Sequence, residues 1–139
     1  MTMALRVLLA IIGAVIIWLG LNVGLGGIAT LGWQGPSDFF TVIDNAAFKV
    51  QDNHVRFLGG IWLGVGVFFI AGAVYLHRLN SILTALILMV FIGGLARLSA
   101  VDPSLLMSAK IAPSLIMELI FFPAIGFWIN HATIGEKGA

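Results

Sequence analysis

Long apolar runs separated by short polar segments dominate the chain. The first run, residues 7–26, carries no charge, and at about 1.5 Å per helical residue it is long enough to cross the roughly 30 Å hydrocarbon core of a membrane. A signal peptide is the alternative because Arg6 precedes the run, but the apolar core of a cleavable signal is only about 7–15 residues long. The run therefore predicts a first transmembrane helix.

Three more runs have a similar length and are predicted to be spans, at residues 57–76, 81–100 and 113–130. Arg78 and Asn80 mark a tight turn between the second and third spans, so these helices should be antiparallel neighbours. Pro123 lies in the middle of the fourth span and predicts a kink there. The pattern predicts an all-α fold, an integral membrane four-helix bundle forming a single domain over residues 1–139.

The long connection between the first two spans contains a helical pattern of its own. Its apolar residues recur at three- and four-residue steps, at Phe39, Phe40, Ile43, Ala46, Ala47 and Val50. This spacing predicts a short amphipathic helix in the first loop, lying on the membrane interface or over the helix ends. The alternative is an irregular loop whose phenylalanines enter the headgroup region, and Trp33 fits the interfacial aromatic belt in either case.

Composition agrees with a lipid environment and excludes several classes of protein. Apolar residues make up 60% of the chain and charged residues 9%, and the mean hydropathy is +1.11, unlike a soluble domain. A net charge of +1 without a basic block gives no electrostatic footprint for nucleic acid. Without cysteine there is no disulfide, thiolate zinc site, iron–sulfur cluster or thiol nucleophile.

Charges at membrane depth define the candidate site. The polar segment 52–56 stands at the start of the second span, and the other two charges at this depth are Arg97 and Glu118. In an antiparallel bundle, the start of the second span, the end of the third and the start of the fourth share one leaflet. A charge facing lipid near mid-bilayer costs about 2.5–3.5 kcal/mol, so these groups should face inward and pair. The predicted ligand-binding residues are Asn53, His54, Arg56, Arg97 and Glu118.

Small residues next to the two arginines indicate room for a ligand. Gly60 and Gly64 share a helix face with Arg56, and a Gly93–Gly94 pair precedes Arg97 by one turn. Two arginines and one glutamate leave one positive charge in excess, which would be neutralised by Asp52, Asp102 or an anionic ligand. Such a pocket would hold a carboxylate, phosphate or other polar head, with its apolar tail between the helices.

Other interpretations remain open at this stage. The arginines can instead snorkel to lipid phosphates while Glu118 pairs with one of them only to lock the bundle. The chain can be an accessory subunit that docks through its glycine faces, or a membrane-embedded enzyme using Glu118 as acid or base with His54. His77 and His131 lie on the side opposite His54 and form no ligand-spaced motif, so no metal or haem site is predicted. No catalytic residue is assigned, and the cofactor, if any, stays unknown.

Three segments carry a resemblance to a known family: 52–62, 93–98 and 118–119. They combine an asparagine–arginine–glycine opening of the second span with a glycine–glycine–arginine close of the third and a glutamate in the fourth. Over nearly the whole chain this combination resembles the small bacterial four-helix membrane proteins grouped as domain-of-unknown-function family 4345. The resemblance implies an inner-membrane bundle and no particular activity. More loosely, the size and helix count are similar to DoxX-type proteins, some of which are associated with quinone-linked oxidation, although no DoxX motif matches residue by residue.

The distribution of Lys and Arg predicts the orientation. Arg6, Arg78 and Lys137 lie on the side of the termini, against Lys49 and Lys110 on the other side when the two intramembrane arginines are left out. The excess favours cytoplasmic termini in the bacterial inner membrane. The expected partners are the bilayer itself, a lipid or quinone-like amphiphile, and a homo-oligomer or larger membrane complex.

Overall fold

Every regular element of the chain is helical over the residues that the structure, a computed structural model, describes: 2–30, 42–100, 102–109 and 111–135. Helix α1 is Thr2–Gly26, followed by a 3₁₀ turn at Gly27–Thr30. The remaining helices are α2 (Asn45–Val74), α3 (Leu76–Arg97), α4 (Pro103–Leu106), α5 (Ala112–Ile116) and α6 (Phe122–Gly135). A π-helical turn at Met117–Phe121 joins α5 to α6 without a break.

Four helical stretches are long and apolar enough to cross a membrane: Met3–Thr30, Asn45–Val74, Leu76–Arg97 and Ala112–Thr133. The all-α fold built on four membrane-length helices is therefore confirmed, and the chain is that of a multi-pass membrane protein. The second stretch begins well before the predicted start at residue 57, and the third ends before residue 100.

The start of α2 corrects the prediction for the first loop. The Asp44 carboxylate accepts hydrogen bonds from the backbone N–H groups of Ala46 (2.8 Å) and Ala47 (3.1 Å), which is an N-cap. No helix breaker follows before residue 57, so residues 45–50 are the first turns of the long helix rather than part of a separate amphipathic one. Val42 and Ile43 are not helical, and the remainder of the predicted segment, with Trp33, Phe39 and Phe40, lies outside the described residues.

The break between α2 and α3 lies at Tyr75, and not at Arg78–Asn80 as predicted. Tyr75 has φ −112° and ψ 46°, and Arg78 and Asn80 already belong to the first turns of α3. The Arg6 guanidinium donates to the backbone carbonyl of Val74 at 3.0 Å. This bond satisfies a carbonyl at the end of α2, where helical hydrogen bonding is interrupted.

Glycines set the contact between α1 and α2 within the compact unit formed by Val7–Ala73. A Cβ atom added at Gly59 would collide with the backbone of Gly24, and one at Gly66 would lie 2.7 Å from the backbone nitrogen of Ile17. A Cβ added at Gly60 would meet nothing within 4 Å. The two helix backbones therefore approach closely through the Gly59 face of α2.

Residues up to 6 together with those from 74 onward form a second compact unit, in which α3 packs against the fourth membrane-length stretch. Its core includes aliphatic and aromatic side chains that are buried on both partners: Leu83, Ile87 and Val90 on α3, and Phe122, Ile125 and Ile129 on α6. At one end the Asn80 amide donates to the Thr133 hydroxyl at 2.8 Å. This polar contact fixes the register of the two helices next to the apolar core.

Substitution of Gly59 by alanine should destabilise the protein by about 1–3 kcal/mol, since the added methyl forces the backbones of α1 and α2 apart. The matched control is Gly60→Ala one position along the same helix, where the methyl enters open space and the unfolding free energy should stay equal or rise slightly. Detergent-induced unfolding followed by circular dichroism measures both. Equal stability of the two variants would contradict this packing.

Candidate functional site

Arg97 and Glu118, two of the predicted site residues, form an ion pair. The Arg97 Nε donates to Oε2 of Glu118 at 2.7 Å. The Glu118 side chain is only 10% exposed, whereas the side chain of Arg97 is 41% exposed. The carboxylate thus lies inside the helix packing and the guanidinium at its edge.

The π turn and a glycine place the carboxylate. Pro123 has no N–H and cannot donate to the carbonyl four residues earlier, and the N–H of Phe122 donates instead to Met117 in the wider π pattern. A kink at Pro123 stays a prediction, and the irregularity that the structure shows is this π turn, which contains Glu118. A Cβ at Gly94 would lie 2.9 Å from the Glu118 Cβ, so glycine is what allows α3 to approach.

Part of the Arg97 guanidinium remains available. Among the described residues only Glu118 accepts a hydrogen bond from it, through Nε, so both terminal nitrogens keep their donors. Gly93, one turn earlier on α3, is exposed, and a Cβ added there would meet nothing within 4 Å. The free edge of the guanidinium matches the two oxygens of a carboxylate or phosphate.

Arg56 has a different set of partners, in the unit formed by Val7–Ala73. Its Nε donates to Oδ2 of Asp52 at 2.7 Å, and its Nη1 donates to the backbone carbonyl of Leu25. The other carboxylate oxygen of Asp52 accepts from the N–H of Ile28 at 2.9 Å. Gly27, which directly follows α1 and lies between Leu25 and Ile28, has φ +68°, the left-handed conformation typical of the residue that ends a helix.

The Arg56–Asp52 pair therefore fastens the C-terminal end of α1 to α2. A cation at the last carbonyls of a helix is favourable because the helix dipole places partial negative charge there. Sequence reasoning named Asp52 as a possible counter-ion for an arginine, and that is confirmed. It missed the carbonyl of Leu25, because backbone acceptors leave no mark in the sequence.

Asp102, the other proposed counter-ion, is engaged elsewhere. Its carboxylate caps α4 by accepting from the Ser104 hydroxyl (2.7 Å) and from the N–H groups of Ser104 (3.0 Å) and Leu105 (3.1 Å). The hydrogen bond from the Ser104 hydroxyl, followed by the backbone bonds, holds the pKa of Asp102 below its usual value. The cap is therefore present above the ordinary carboxyl pKa of about 4 and is lost as the pH falls through the lowered value.

Asn53 and His54 are exposed on α2. Their part in a ligand site stays a prediction, as does a pocket that joins Arg56 to Arg97 and Glu118. His131 stacks on Phe127 at a ring-centroid distance of 6.4 Å. In the part of the chain that the structure describes, no group of three or more His, Asp or Glu side chains could hold a metal ion.

Substitution of Arg97 by glutamine should destabilise the protein by about 2 kcal/mol, because Glu118 then stays buried without its partner. Glu118→Gln should cost less, since Arg97 is half-exposed and reaches polar headgroups. In the double variant the loss of unfolding free energy should be smaller than the sum of the losses in the two single variants. Unfolding free energies of all four proteins test this double-mutant cycle, and strict additivity would contradict a direct pair.

Replacement of Asp52 by asparagine should loosen the turn after α1, because the charge-assisted bonds from Arg56 and the N–H of Ile28 weaken. Hydrogen exchange at the Ile28 amide should quicken about tenfold, and Lys49→Gln, an exposed change on the same helix, should leave it unaltered. Unchanged exchange at Ile28 in the Asp52 variant would contradict the clamp.

Comparison with known proteins gives one match. Residues 4–129 match the model of a family described as a domain of unknown function, DUF4345. No curated protein and no solved structure matches the chain significantly. The match covers all three segments from which the resemblance was inferred, and the chain belongs to the DUF4345 family.

Proposed function

We propose that the protein binds the polar head of an amphiphile at the free edge of Arg97, beside Glu118, within the membrane. The observation that carries this proposal is that the Arg97 guanidinium is only partly engaged. Its Nε donates to a buried carboxylate, and both terminal nitrogens lack a partner among the described residues. A guanidinium held in this way presents its donors in a fixed direction.

The ion pair prepares the arginine for binding. An unpaired arginine on a helix end loses rotamer freedom when it captures a ligand, whereas Glu118 already restricts Arg97 before the ligand arrives. The neighbouring carboxylate also offsets the charge, so the site selects an oxygen acceptor placed on the far edge of the guanidinium. Lipid phosphates, fatty-acid carboxylates and quinone carbonyls all have such oxygens.

The surroundings favour a ligand with an apolar tail. Gly93 leaves open space one turn below Arg97, and exposed side chains of α3 on the same stretch, such as Ile92 and Leu95, are apolar. An amphiphile can therefore keep its tail in the hydrocarbon region while its head meets the guanidinium.

Residues at the start of α2 are also candidates for binding a ligand, and the site has a proposed side of the membrane. We also propose that Asn53, His54 and Arg56, at the predicted start of the second span, bind a polar head. The site would lie in the leaflet opposite the termini, which are proposed to face the cytoplasm of a bacterium with the protein in its inner membrane.

Two other functions remain as predictions. An accessory subunit would use the face of α2 that carries Gly60 and Gly64, where an added Cβ meets nothing within 4 Å. An enzyme would use Glu118 as acid or base with His54, as proposed from the sequence. Native mass spectrometry of the protein extracted in mild detergent tests the accessory-subunit function, because an accessory subunit should be found in a complex with a different protein chain.

Binding of oleate that carries ¹³C at its carboxyl carbon tests the proposal, by nuclear magnetic resonance of the full chain in detergent micelles. The Arg97→Gln variant should bind about tenfold or more weakly, because a charge-assisted hydrogen bond is lost. Glu118→Gln should still bind oleate, since the removal of a competing negative charge offsets the lost restraint on Arg97.

Lys49→Gln is the matched control for charge and should bind as the native protein does. The Glu118 result separates binding from a proton-transfer function, which that substitution would abolish. Equal affinity of the native and Arg97→Gln proteins would contradict the proposed site.

A further inference from the structure

A second group of cations lies at the other end of α3. An open groove of about 280 Å³ follows the break between α2 and α3, and it is lined by Arg6, Val74, Tyr75, Leu76, His77 and Arg78. Residue 6 and residues 74–78 belong to the same compact unit, so the groove is built within one packed body. Tyr75, at which the helix is broken, is one of its lining residues.

The two arginines of the groove have no acidic partner among the described residues. Arg6 uses Nη1 for the carbonyl of Val74, and the Arg78 side chain is exposed and makes no hydrogen bond or ion pair with the part of the chain that is described. The described carboxylates of this unit are engaged elsewhere: Asp102 caps α4 and Glu118 pairs with Arg97. The groove therefore carries uncompensated positive charge.

The spacing of charges along the chain predicts that the groove lies at the depth of lipid phosphates. Arg6 directly precedes the uncharged run 7–26, and Arg78 precedes a stretch of α3 without charge up to Arg97. Nineteen helical steps of about 1.5 Å place Arg78 and Arg97 roughly 28 Å apart, close to the thickness of the hydrocarbon core. Tyr75, half-exposed beside the arginines, is typical of the membrane interface.

We propose that this groove binds the phosphate of an anionic phospholipid headgroup, in the leaflet opposite the Arg97 site. The bond from Arg6 to Val74 fixes one guanidinium in advance, and Arg78 supplies a second one from the first turn of α3. Two guanidinium groups around one concavity favour a phosphodiester that has no ammonium group of its own. The binding is thus selective for charge, in contrast to snorkelling of isolated arginines, which any phospholipid satisfies.

The test is native mass spectrometry of the delipidated full chain titrated with phosphatidylglycerol or with phosphatidylcholine. Phosphatidylglycerol should bind more tightly, and Arg78→Gln should weaken it about fivefold, the effect of one interfacial arginine. The Arg6→Gln/Arg78→Gln double variant should lose more than tenfold. Arg78→Gln breaks no described contact, so its result stands even where the double variant fails to fold.

Three controls separate this site from the others. Lys49→Gln removes an exposed cation that does not line the groove and should leave phosphatidylglycerol binding unchanged. Arg78→Gln should weaken the binding about fivefold in the Arg97→Gln protein as well, so failure at Arg97 and failure here are distinguishable. Arg78→Lys should retain most of the affinity. Equal binding of the two lipids, or native affinity in the Arg78→Gln variant, would overturn the proposal, and displacement of the lipid by millimolar inorganic phosphate would reassign the groove to a free anion.

Discussion

The structure depends on a carboxylate that the sequence places inside an apolar span. Glu118 cannot face hydrocarbon as an ion without a large cost in free energy, so a cation has to reach it from a neighbouring helix. Arg97 does so from the last turn of α3, at 2.7 Å. The glycine at position 94 and the π turn around Glu118 follow from this requirement, since both bring the carboxylate within reach of α3. The ion pair therefore both places the arginine of the proposed site and determines how closely α3 packs against the π turn.

The same constraint organises the other compact unit in a different way. Arg56 meets a carboxylate on its own helix and a backbone carbonyl at the end of α1, and Asp52 in turn holds the N–H of Ile28. Here the charges complete a helix terminus, whereas Arg97 keeps donors free. The two arginines look equivalent in the sequence, each next to a pair of glycines. Their hydrogen-bond partners distinguish them: Arg56 is engaged by protein groups on two sides, and Arg97 on one.

Sequence reasoning succeeded where a large free-energy cost decides the outcome. The four membrane-length helices follow from the cost of exposed backbone in lipid, and the Arg97–Glu118 pair follows from the cost of a buried charge. It failed where the competing states differ little. Arg78 and Asn80 indicated a turn, yet both fit a helix nearly as well, and the break lies at Tyr75, next to the Val74 carbonyl that accepts from Arg6. The start of α2 moved to Asn45 for a similar reason, since one cap at Asp44 outweighs a weak amphipathic pattern.

Infrared spectroscopy of the full chain with ¹³C in the side-chain carboxyl groups of glutamate tests the central ion pair most directly. Glu118 and Glu136 are the two glutamates of the sequence, so the difference between the native spectrum and that of Glu118→Gln isolates the buried group. The account predicts the stretching bands of an ionised carboxylate for Glu118, and a shift of those bands when Arg97 is changed to glutamine and the hydrogen bond from Nε is lost. A protonated carboxyl band for Glu118 in the native protein at neutral pH would contradict it.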